Sequence, residues 1–112
     1  MATEFFIQRP SITPTIYVYE LIGVASHNGY IKIGYTERDA ATRIKEQLHT
    51  AAVPFKILYQ ESAMREDGSV FTDKDIHRIL ERRGFRQLNA VADDNEWYNC
   101  SLNDVKAAIV EL

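Results

Sequence analysis

Cysteine is nearly absent from this chain: Cys100 is the single one among 112 residues. No intrachain disulfide can form, and no multi-cysteine zinc site can be built. Long apolar runs are missing too. None approaches the roughly 18–20 residues of a membrane span. The stretch Met1 to Pro10 has no basic segment followed by an apolar core, so it does not read as a signal peptide. Excess positive charge is also lacking. Thirteen Lys and Arg against sixteen Asp and Glu leave a net charge of −3, the wrong sign for holding DNA by bulk electrostatics. Any nucleic-acid role then needs a local basic face or a partner that supplies grip. No Walker loop, G-x-G-x-x-G or nucleophile elbow is present, and there is no internal repeat or low-complexity tract. These absences leave a soluble cytoplasmic domain as the expectation.

What is there suits one packed domain. Hydrophobic residues make up 46%, charged residues 26% and aromatics 11%, within the globular range and outside the disordered one. A chain of this length is one domain on size alone. Residues 1–14 read as irregular, punctuated by Pro10 and Pro14. Residues 15–112 read as the folded part.

Thr15 to Ile22 is β-branched and aromatic, and predicts a strand with Tyr17, Tyr19 and Leu21 on one face. Asn28-Gly29 signals a tight turn, and Tyr30 to Tyr35 predicts an antiparallel partner strand. Gly34 marks a bend or a close approach in it. Asp39 is placed to cap a helix reaching His49, with Ala41, Ile44 and Leu48 on one face. Phe55 to Glu61 predicts a third strand. Thr72 is placed to cap a helix over 73–83, ended by Gly84. Trp97-Tyr98 reads as a short buried segment, and Asn103 as the cap of a last helix. The order, β-β-α-β-α-(short β)-α, predicts an α+β fold.

Several residues are candidates for chemistry, each with an ordinary alternative. Asp73 shares a helix face with Ile76 and Leu80 and borders His77. It either points into the protein as a functional carboxylate, or serves the helix dipole or pairs with His77. Arg43 flanks the apolar stripe of the first helix and is either functional or a solvated arginine. Lys32, between two isoleucines, is expected to face away from the core into solvent. Arg78, Arg82, Arg83 and Arg86 cluster at the end of the second helix. They suit the dipole there, or phosphates. Cys100 reads as a small core residue.

Taken in order, the motifs resemble the GIY-YIG nuclease superfamily, in its phage- and restriction-associated branch. Thr15-Ile16-Tyr17 resembles the first motif and Lys32-Ile33-Gly34 the second. Arg43 lies on the following helix, and Asp73 to His77 resembles an acidic motif with His four residues on. Asn95-Glu96-Trp97-Tyr98 resembles that branch's Gly-Glu-Trp-Phe segment. The resemblance implies a three-stranded antiparallel sheet flanked by helices, and a metal-dependent endonuclease acting on DNA. In it Asp73 would hold Mg²⁺ or Mn²⁺, with Asp75 as a substitute. Tyr17 would act as base or water-positioning group. A phenol of ordinary pKa about 10 needs a nearby cation for that, which Lys32 would provide. Arg43 would fork onto the phosphate. Tyr35, Arg78 and Arg82 are the expected further substrate contacts, with Asn89 a lesser candidate. A fused or associated helicase domain is the implied partner. A non-catalytic nucleic-acid-binding module and an interdomain adaptor are the competing readings, favoured by Thr15, Lys32 and Asp73 departing from the motif and by the acidic charge.

Overall fold

The structure is a computed structural model that describes residues 14–48, 53–87 and 97–112. Four strands and three α-helices follow one another as β1 (Thr15–Leu21), β2 (Ile31–Thr36), α1 (Ala40–Leu48), β3 (Phe55–Ser62), α2 (Asp73–Arg82), β4 (Trp97–Tyr98) and α3 (Leu102–Glu111). A 3₁₀ turn at Ala25–His27 lies between β1 and β2. The sheet is antiparallel, in the order β3-β1-β2-β4. The expected three-stranded sheet is corrected to four, because the Trp97-Tyr98 segment pairs with Ile31 and Lys32 as an edge strand.

Alternation along β1 sorts its residues onto two faces. Ile16 and Val18 join Ile31, Ile33, Ile76, Ile79, Leu80 and Val105 in a core beneath α2 and α3. Tyr17 and Tyr19 lie on the opposite face with Ala40, Ile44 and Trp97, under α1. Both faces are therefore covered. Between β1 and β3 the register slips by one residue after Val18, so Leu58 is the extra residue of a β-bulge. The bulge lets Leu58 and Tyr59 both pack toward α2 and α3, while Ile57 and Phe55 stay on the tyrosine side.

The helix ends follow their local sequences with one exception. Asp39 Oδ2 accepts the Thr42 backbone N–H at 3.0 Å, as an N-cap should. Thr72 is the N-cap of α2, and its backbone N–H donates to Asp75 Oδ2 at 3.0 Å. Gly84 follows that helix at φ +83°, a conformation that glycine adopts without strain. The last helix is capped by Ser101, not by Asn103. Ser101 Oγ accepts from the Asp104 N–H, and Asp104 Oδ2 accepts from the Ser101 N–H. Ser-x-x-Asp thus closes a reciprocal pair that Asn103, one position inside the helix, cannot make.

Candidate functional site

The tyrosine face of β1 and β2 carries two of the predicted residues, Tyr17 and Lys32. In the β1–β2 register Tyr17 lies opposite Gly34, and Tyr19 opposite Lys32. Tyr17 and Lys32 are therefore diagonal neighbours on one face. Gly34 is what admits the Tyr17 ring there. A Cβ built at Gly34 would fall 2.3 Å from Tyr17 Cζ, well inside contact distance. The glycine thus serves a close approach, one of the two roles its position allowed.

Lys32 corrects an expectation. It is not a solvent-facing strand lysine: its relative exposure is 8%, because α1 and Trp97 cover the face that the isoleucines leave. Its ammonium stands 5.8 Å from the Trp97 ring centroid, within cation–π reach. Tyr17 is fully buried, at 0%. Its hydroxyl donates to Gln47 Oε1 at 3.2 Å, and the Tyr19 hydroxyl donates to the same oxygen at 3.3 Å. Gln47 is thus a part of this site that motif matching passed over, and Trp97, matched within a motif, was given no part in the site. The i, i+4 spacing of Arg43 and Gln47 on α1 was the available signal for Gln47.

Arg43 lies on α1 one turn before Gln47, its side chain partly exposed and 3.5 Å from Glu46. Glu46 is also gripped by both guanidinium nitrogens of Arg38, and that contact holds its carboxyl below the ordinary range.

Asp73 opens α2, on the far side of the sheet from α1. No hydrogen bond or ion pair joins it to Tyr17, Lys32 or Arg43 among the described residues. Its half-buried carboxylate makes no hydrogen bond or ion pair among them either, so the expected pairing with His77 is absent. The His77 ring bonds the Ile33 carbonyl through Nε2 at 3.1 Å instead. Asp75 is committed to its helix, accepting from the Thr72 backbone and pairing with Arg78. Among the described residues no group of three or more metal-binding side chains forms.

Of the further substrate contacts, Tyr35 pairs with Ile16 and so sits on the face opposite Tyr17. Its phenol donates to Glu37 at 3.0 Å and titrates above its ordinary value, through burial first and then Glu37. Arg78 and Arg82 line a groove of about 650 Å³ with Asp75, Ile79, Glu111 and Leu112. Arg82 and Arg83 both bond Glu111. Cys100 is half-buried, and burial pushes its thiol up to about 12, which removes it as a nucleophile near neutral pH. Asn89 and Glu96 lie outside the described residues. No described helix is long and apolar enough to cross a membrane.

The sequence model of the T5orf172 domain matches residues 15–112. The chain belongs to the T5orf172 domain family. Membership of the GIY-YIG superfamily, expected from the motifs, is thereby corrected: the T5orf172 domain is a different family. The motifs behind that expectation were short strand and helix segments, several departing from their pattern, whereas the T5orf172 match runs through every element from β1 to α3. No curated protein and no solved structure matches this T5orf172 domain.

Proposed function

We propose that this T5orf172 domain is a divalent-metal-dependent endonuclease acting on DNA. The observation that carries the reading is the tyrosine face: a glycine kept free of a Cβ so that the Tyr17 ring can lie over β2, with Lys32 diagonal to it. Family membership supports the coarser part, a DNA-related role in a nuclease-like domain. The division of labour follows from residue chemistry. Arg43 offers a planar fork suited to a phosphate. Lys32 supplies a fixed cation in a poorly solvated setting, where charge acts over longer range. Tyr17 holds a proton at a defined oxygen, the one now given to Gln47.

The donor set fits one hard ion of the Mg²⁺ type. Asp73 is a carboxylate without a protein partner among the described residues, and Mg²⁺ takes one or two carboxylates and keeps several waters. Such an ion, when bound, neutralises charge on the phosphate and lowers the pKa of its water.

The test is supercoiled plasmid incubated with the full chain and Mg²⁺ or Mn²⁺, against chelator. Nicked or linear product is expected with metal alone, and Asp73→Ala should lower the rate on the order of 10²-fold or more while the far-UV spectrum stays unchanged. Full activity in that variant would reduce Asp73 to a helix-dipole acid. One observation favours a second reading, a non-catalytic nucleic-acid-binding module: the complete burial of Tyr17. Retarded plasmid with no cleavage at any metal concentration would select it.

A further inference from the structure

His77 is a buried polar side chain that the proposed chemistry does not use. Three observations give it a task. First, the Ile33 carbonyl, on β2 next to Lys32, accepts from His77 Nε2 at 3.1 Å. A carbonyl can only accept, so Nε2 carries the proton. Second, the His77 ring is packed 5.2 Å from the Tyr98 ring of β4. Third, Asp73 is four residues before His77 on α2, one turn away on the same side of the helix.

The Ile33 peptide unit sits between Lys32 and Gly34, the residue over which Tyr17 lies. One hydrogen bond therefore connects the helix that bears Asp73 to the strand segment that bears Lys32 and Gly34. The apolar contacts of Ile76, Ile79 and Leu80 hold α2 against the sheet. Such contacts are non-directional. The His77 bond is directional, and it is made one turn along the helix from Asp73.

We infer that His77 is a positioning residue, whose Nε2–H bond to the Ile33 carbonyl sets the first turn of α2, and with it the Asp73 carboxylate, in register with the Lys32–Gly34 segment. The inference rests on the proposed reading of Asp73 as a metal ligand. It calls for Mn²⁺ affinity of the full chain, read from the free-ion EPR signal, together with kcat and KM for plasmid cleavage. His77→Phe keeps a ring against Tyr98 and loses the donor. His77→Gln keeps an N–H at nearly the same reach. The phenylalanine variant should bind Mn²⁺ roughly tenfold more weakly, with kcat reduced and KM for DNA unchanged, and the glutamine variant should stay within about threefold of wild type.

A purely structural His77 would lower the melting temperature of the phenylalanine variant and leave Mn²⁺ affinity and kcat alone, and that result overturns the inference. If the phenylalanine variant does not fold, His77→Met, which also lacks the donor, takes its place: roughly tenfold weaker Mn²⁺ binding upholds the inference and wild-type affinity overturns it. A wild-type chain that binds no Mn²⁺ overturns the metal reading and this inference with it. Wild-type binding equalled by folded His77→Phe overturns the inference alone.

Discussion

A missing methyl group decides how the tyrosine face is built. Tyr17 crosses β2 only because Gly34 has no side chain there, and its hydroxyl then reaches the same amide oxygen as Tyr19. Gly34→Ala would force the ring away, and overpacking of this kind costs about 1–3 kcal/mol. Urea denaturation should show the midpoint falling at constant slope, with the unfolding free energy lower by that amount, and an unchanged midpoint would mean the ring relocates freely. Glycine in a strand marked the position from sequence alone, as either bend or close approach. The partner was not legible, because it depends on which residue of β1 comes opposite. Lys32 shows the same limit more sharply. Alternation correctly put it on the face away from the isoleucine core, but whether that face is wet depends on α1 and Trp97, which are remote in sequence.

At the scale of elements, local chemistry spoke clearly. Caps and turns act within about four residues, so Asp39, Thr72 and Gly84 could be read directly. The last helix shows where that reading slipped. Two good N-cap types, Ser101 and Asn103, stand two residues apart, and the acid three places after Ser101 settles the choice. Ser101→Ala should therefore cost about 1 kcal/mol, whereas Asn103→Ala should stay within about 0.5 kcal/mol. Equal losses in thermal or chemical unfolding would contradict the Ser101 cap. The two-residue strand β4 is a different case. So short a segment has no periodicity to detect, and it becomes a strand only by pairing with β2.

Over the whole molecule, charge limits what the domain does to DNA by itself. Five arginines are shared among three carboxylates: Arg38 and Arg43 on Glu46, Arg78 on Asp75, Arg82 and Arg83 on Glu111. Exposed pairs of this kind add little stability, but they divide the basic field that phosphates would meet. With a net charge of −3, binding should be weak. If about three phosphates are neutralised, log affinity against log salt should fall with a slope of about −2.7. Tight binding that ignores salt would point to base stacking in place of phosphate contacts. The two sides of the sheet also divide the predicted residues. Tyr17, Lys32 and Arg43 belong to the α1 side, while Tyr35, Arg78 and Arg82 belong to the other.

By itself the sequence determined the α+β class, the order of strands and helices, the two faces of β1 and most helix caps. Each follows from interactions between residues close in the chain or from simple periodicity. Only the tertiary structure decided the joining of the short fourth strand to the sheet beside β2, the burial of Lys32, the grip of Gln47 on two phenols and the bond from His77 to the Ile33 carbonyl. Those depend on contacts across 28 to 44 residues of chain, or on which element covers a face, and no local pattern carries that information.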